Sequence, residues 1–196
     1  MLKLYDVYDW RHAAVILGHV FPEEFTEICA ALREFRFTQA QVTQAGGNES
    51  PIPKTFSGIL RPRGWRESKL EAKLVVDERM ISQDTHKIDY CKGRIAFDLE
   101  WNSKDQTFDR DLYAFRAFWE YDKISVGILV TRSIELDEYF HSLGEYDDKH
   151  GVRRRYKDKF GASTTHMGKL LPRLRAGRSG GCPVLVFGIT PRLLEE

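Results

Sequence analysis

IDYCKGRIAFDLEWN, residues 88–102, decides how this chain is read. Asp98, Glu100 and Asn102 alternate with Phe97, Leu99 and Trp101. A period of two marks a strand with one polar and one apolar face. Lys92-Gly93 breaks the stretch, which predicts a hairpin: one strand around Ile88–Tyr90, the other over Arg94–Asn102. Asp89 precedes Asp98 by nine residues. The hairpin therefore brings three carboxylates, Asp89, Asp98 and Glu100, towards one point. Left alone, they raise one another's pKa and destabilise the fold. A divalent cation resolves the conflict. Mg2+ takes hard oxygen ligands, commonly one or two carboxylates together with phosphate oxygens. The competing reading of the same residues is a half-exposed strand with a charged outer face.

Downstream, the spacing of Phe108, Leu112, Phe115 and Trp119 predicts a helix over about Phe108–Glu120. ISVGILV, residues 124–130, is a continuous apolar run, as in a strand buried on both faces. The order strand, strand, helix, strand implies a crossover unit in a mixed sheet. PVLVFGI, residues 183–189, reads as the last strand. Upstream, AAVIL, residues 13–17, reads as a short strand. Pro22-Glu23-Glu24 opens a helix with Phe25, Ile28, Cys29, Leu32 and Phe35 as its apolar stripe. Residues 43–64, rich in Gly and Pro, read as a long loop. Residues 65–79 read as a helix with Leu70 and Leu74 inward and Glu67 and Glu71 sharing one face.

Of the 196 residues, 42% are hydrophobic and 12% aromatic, which suits one globular domain over residues 1–196. No apolar run approaches the roughly 18–20 residues of a membrane span, and the N-terminus lacks the zones of a signal peptide. The expectation is a soluble, cytoplasmic protein with no membrane partner. Cys29, Cys91 and Cys182 are odd in number and scattered, as reduced thiols are. The net charge of +1 conceals an asymmetry. Asp98–Asp148 carries 13 acidic against 5 basic residues, and Lys149–Arg178 carries 10 basic against one acidic. An acidic site beside a basic docking surface fits this, and so do two solvated faces.

The basic stretch lies in a polar, glycine-rich region, residues 141–181. Lys and Arg there offer phosphate attraction, and Arg can also read guanine. Arg153, Arg154 and Arg155 suit phosphate, whereas Arg173, Arg175 and Arg178 suit base edges. Ser163, Thr164, Thr165, His166 and Lys169 add hydrogen-bonding groups. Gly177, Gly180 and Gly181 allow close approach of the loop to a ligand.

Asp89 before the turn, AFDLEW as central strand, FDRDLYAF as the following helix, ISVGILV, and the late LRAGRSGGCPVLVFGITP together resemble the BglII family of type II restriction endonucleases, within the PD-(D/E)xK nuclease superfamily. The match spans roughly residues 65–191. It implies an α/β core with a central mixed sheet flanked by helices, a homodimer, Mg2+ dependence, and cleavage of a short palindromic site in double-stranded DNA, with sites centred on GATC frequent in the group. A cognate DNA methyltransferase is expected as a separate protein. Asp89 and Asp98 match the metal-binding acids. Glu100 stands where the superfamily often has Lys and BglII-like enzymes have Gln; a Glu there resembles the BamHI arrangement, with a metal-binding or water-orienting role. A shifted register would instead use Glu100 and Asn102. An upstream polar residue often completes such sites; Glu71 is the first candidate and Glu67 the second. Lys104 is placed for phosphate contact or as a solvated strand-end residue. Two rivals remain: a repair or mobile-element nuclease of the same fold, and a non-catalytic, sequence-specific DNA-binding protein.

Overall fold

The computed structural model describes residues 3–44, 50–84, 86–148 and 150–195. The chain opens with β1 (Tyr5–Trp10), α1 (Ala13–Val20) and α2 (Pro22–Glu34). Next come β2 (Phe37–Thr38), α3 (Gln39–Thr43) and α4 (Pro51–Leu60). Four strands follow: β3 (Arg66–Ser68), β4 (Glu71–Val76), β5 (Arg79–Asp84) and β6 (Ile88–Lys92). β7 (Ile95–Glu100), α5 (Thr107–Glu120) and β8 (Val126–Arg132) form the crossover unit. Beyond it lie α6 (Leu136–Ser142), β9 (Glu145–Asp147), β10 (Arg153–Arg155), α7 (Tyr156–Lys159) and α8 (Met167–Arg175), then β11 (Val184–Ile189) and β12 (Leu194–Glu195).

Six strands make one mixed sheet in the order β1-β11-β8-β7-β6-β3. β11, β8 and β7 run parallel at its centre, and β1, β6 and β3 pair antiparallel outside them. Every residue of the three central strands is buried, as expected where helices cover both faces. On one face Phe97, Leu99, Ile128 and Val130 join Leu32 of α2, Phe35 just past its end and Phe56 of α4. On the other, Ala96 and Leu129 join Phe108, Leu112 and Phe115 of α5 and Leu170 and Leu174 of α8. This is the α/β, restriction-endonuclease-like architecture expected of the sequence.

Several local expectations are corrected. Residues 13–17 belong to a helix, since Ala13 and Leu17, four apart, are both buried. A short apolar run has no periodicity with which to choose strand from helix. Residues 43–64 are not a loop: among the described ones, α4 buries Ile52, Phe56, Ile59 and Leu60 at helical spacing. Ser50 caps it, and Pro51 sits in the first turn, where a missing N–H costs nothing. Residues 45–49 of that span lie outside the described set.

Residues 65–79 form no helix either. β4 and β5 pair as a separate antiparallel hairpin, with Asp77 and Glu78 at its turn. Both turn residues take positive φ, 46° and 69°, as a two-residue hairpin requires. The usual Asn-Gly signal is absent, and that hid the turn. Leu70 is buried, whereas the side chain of Leu74 lies outside the described set. Glu67 and Glu71 therefore sit on different strands rather than on one helical face.

Candidate active site

The alternation in β7 sends Phe97 and Leu99 to the aromatic face of the sheet and Asp98 and Glu100 to the face under α5. The polar face of this strand is thus covered by a helix rather than open to solvent. Asp98 is 3% exposed and Glu100 7%. The competing reading of a solvated outer face is excluded for both residues.

α5 packs directly on a glycine of the sheet. A Cβ on Gly127 of β8 would stand 2.5 Å from the Phe115 ring, so the ring fits because that position has no side chain. One helical turn before Phe115 comes Asp111, also 3% exposed. Asp111 was not anticipated. Its signal is a charged residue inside the buried stripe Phe108, Leu112, Phe115.

Asp89, at the other side of the cluster, is tied to Asp98 through the hairpin. The Asp89 amide donates to Asp98 Oδ1 at 2.7 Å, and the Leu99 amide bonds the Asp89 carboxylate. Asp98 Oδ2, Glu100 Oε2 and Asp111 Oδ2 are buried without a hydrogen-bond partner.

The electrostatics follow from this crowding. Burial pushes Asp98 well above the usual carboxylate range, and the charges of Asp89 and Glu100 add to the effect. Asp111 is raised to about 10, first by burial and then by Asp98 and Glu100. Asp89 is raised to about 6 by burial of its carboxyl and by Glu100, even though the residue as a whole keeps solvent access at the rim. Arg110, next to Asp111 on α5, lies 3.7 Å from Glu100 Oε1 and 3.5 Å from Asp111 Oδ1. Its charge opposes the rise at Asp89, Asp98 and Asp111.

The remaining candidates fall in several places. Glu71 pairs with Lys69 at 3.6 Å on the separate hairpin, its side chain 75% exposed. Glu67 pairs with Lys87 at 2.7 Å and contributes to the field at Asp89. Asn102 donates its amide to the Lys159 carbonyl at 3.0 Å, beyond the end of β7. Lys104 bridges to Thr164.

The basic region is more structured than its composition suggests. Arg153, Arg154 and Arg155 are exposed on β10 but each has an acidic partner: Glu145, Asp148 and Asp158, at 2.9, 3.2 and 2.9 Å. Arg173 reaches Asp109 at 3.1 Å and Asp105 at 3.5 Å, and Arg178 also bonds Asp109. Arg175 lies over the Tyr8 ring.

Ser163–Thr165 runs beside the end of β7: the Ser163 carbonyl accepts from the Asp105 amide, and the Thr165 amide donates to the Ser103 carbonyl. Thr165 is fully buried, so its side chain does not face a docking surface. His166 precedes α8, and burial and the nearby Arg132 charge lower its pKa. Lys169 lies in the first turn of α8, half-buried. The glycines also find another use. A Cβ on Gly181 would stand 2.4 Å from the Trp119 ring, so this loop approaches α5.

Among the described residues no three His, Cys, Asp or Glu side chains form a ready-made metal cage. No helix among them is long and apolar enough to cross a membrane. The three described cysteines are free thiols.

No curated protein matches the chain. The family described as "Restriction endonuclease BglII/BglIII" matches residues 5–189, from the first strand of the sheet through the last residue of β11. With that match covering nearly all of the chain, and with the acidic hairpin and its covering helix in place within it, this protein belongs to the BglII/BglIII restriction endonuclease family, whose members are nucleases acting on double-stranded DNA.

Proposed function

We propose that this chain is a Mg2+-dependent type II restriction endonuclease, a homodimer in which each subunit cuts one strand of a short palindromic site. The observation that carries the metal dependence is the set of unpartnered, buried carboxylate oxygens on Asp98, Glu100 and Asp111. A buried charge without a partner is costly, and a carboxylate oxygen without a donor is a hard ligand in want of a cation. The donor chemistry therefore fits Mg2+. Asp89, Asp98 and Glu100 would hold it, with the remaining positions left to water and phosphate. When bound, such an ion supplies Lewis-acid stabilisation of phosphate charge and lowers the pKa of an attacking water.

The protein's own groups do the positioning. The hydrogen bond donated by the Asp89 backbone amide to Asp98 Oδ1 fixes the Asp98 carboxylate relative to the neighbouring strand. Glu100, at the end of β7, is placed to orient or deprotonate the attacking water. Asn102, engaged with Lys159, has no part in this assignment, and Glu71 is replaced by Asp111 as the additional acid.

DNA contact is assigned to Arg153, Arg154 and Arg155 for phosphate, and to Arg173, Arg175 and Arg178 with Ser163, Thr164, His166 and Lys169 around α8. Arg153, Arg154, Arg155 and Arg178 keep solvent access in their acid pairs, so exchange of the carboxylate for a phosphate is inexpensive there, whereas Arg173 is more enclosed. Residues 1–196 act in this reading as one domain, in the cytoplasm, beside a separate methyltransferase that protects the host's sites.

Plasmid incubated with the protein and Mg2+ tests the proposal. Discrete fragments, abolished by chelation, support it. Nonspecific or structure-selective nicking points to a repair or mobile-element nuclease. Tight sequence-specific binding without cleavage points to a DNA-binding protein whose acids are structural.

A further inference from the structure

Building on the nuclease reading, we infer that Arg110 is a charge-exchanging positioning residue: in the metal-free protein its guanidinium is the counter-cation of the acid cluster, and in the metal-loaded complex it turns to the scissile phosphate. Four carboxylates, from Asp89, Asp98, Glu100 and Asp111, crowd one region between β6, β7 and α5. The guanidinium of Arg110 is the cation acting on Asp89, Asp98 and Asp111 alike, and it is also 3.7 Å from Glu100. Its contacts are long and divided. Nε and Nη2 each stand 3.5 Å from Asp111 Oδ1, and Nη2 is 3.7 Å from Glu100 Oε1. A short, bidentate pair would be locked; this one is loose enough to leave.

The side chain is 43% exposed, whereas Glu100 and Asp111 are nearly enclosed. Arg110 thus joins the buried acids to the solvent through which a nucleic acid must arrive. A phosphate approaching this acid cluster is repelled unless positive charge meets it. A divalent cation entering the cluster replaces the neutralising charge of Arg110 and repels the guanidinium. The planar fork of guanidinium matches phosphate oxygens, so the displaced group has a partner at the same mouth.

Two variants of the full chain, Arg110→Ala and Arg110→Lys, test this. Without DNA, calorimetric titration with Mg2+ should show Arg110→Ala binding the ion at least about threefold more tightly, because a competing cation is gone. In EDTA the same variant should melt below wild type. With Mg2+ and DNA its cleavage should fall by about a hundredfold or more, with loss in kcat rather than KM alone. Arg110→Lys should keep metal affinity near wild type and recover part of the EDTA stability, while cleaving less well for want of the fork.

Metal affinity of Arg110→Ala equal to or weaker than wild type would overturn the inference, as would wild-type cleavage. Should wild type neither bind Mg2+ nor cut DNA, the nuclease reading fails. The EDTA melting comparison then still decides the counter-cation role, an unchanged Tm overturning it.

Discussion

Asp111→Asn separates the cost of the acid cluster from its use. Asp111 has a pKa of about 10 in the folded chain, against an ordinary value of 3.8. The folded state therefore holds its proton more tightly than the unfolded state does. Stability from this group is fully present below about pH 4 and is lost as pH rises towards 10. At pH 7 the unfolded carboxyl is ionised and the folded one is not. The difference of about three units corresponds to roughly 4 kcal/mol, at about 1.4 kcal/mol per unit. Asparagine has the same shape, needs no proton, and brings an N–H donor to a cluster whose buried oxygens lack donors. Even half of that difference, about 2 kcal/mol, raises Tm by roughly 4–8 °C in a chain of this size. The assay is thermal denaturation in EDTA from pH 5 to pH 9. Wild type should lose stability relative to Asp111→Asn as pH rises, the gap widening across the series. Parallel pH profiles, or a variant less stable than wild type at pH 8, would refute the reasoning.

Asp98→Asn should reduce cleavage by at least about a thousandfold, roughly 4 kcal/mol of barrier, and shrink the rise in Tm produced by Mg2+; near-normal cutting would exclude Asp98 from the site. Gly127→Ala should lower stability by about 1–3 kcal/mol and reduce cleavage with it, because the methyl group drives Phe115, and with it α5, away from the sheet; denaturant melts and initial rates check both. Replacing Arg153, Arg154 and Arg155 with Ala should weaken binding to all DNA sequences alike and flatten its salt dependence by about one log-log unit for each phosphate no longer neutralised. Arg178→Ala should instead erode preference for the specific site, measured as the ratio of specific to random-sequence Kd.

The central architecture was legible in the sequence because burial writes itself into composition. ISVGILV and PVLVFGI have no charged residue to turn outwards, so they lie in the interior, and their β-branched residues favour strand over helix. Phe108, Leu112 and Phe115 announce the helix that connects the crossover. The β4–β5 turn was illegible because Asp77 and Glu78 adopt positive φ without Gly or Asn. α4 was illegible because proline in a first turn looks like proline in a loop. In the site, alternation put Asp98 and Glu100 on one strand face and the hairpin set Asp89 beside them, but alternation alone left a solvated outer face equally open until α5 was seen to cover it. Arg110 and Asp111 could not be assigned without knowing how closely α5 approaches β8. Gly127 sets that approach, but a glycine within an apolar run does not say which ring will occupy the vacant space.

The bond from the Asp89 amide to the Asp98 carboxylate also constrains how the chain can change over time. It makes the spacing between the two acids part of the strand pairing itself, since Tyr90 opposes Phe97 across the same hairpin. One residue inserted or deleted within β7 would carry Asp98 and Glu100 through the sheet, among Phe56 and Trp65, and bring Phe97 and Leu99 under α5. Substitutions can tune this site gradually, but length changes inside it are all-or-nothing. Surface loops can therefore absorb a gained or lost residue that the interior of β7 cannot.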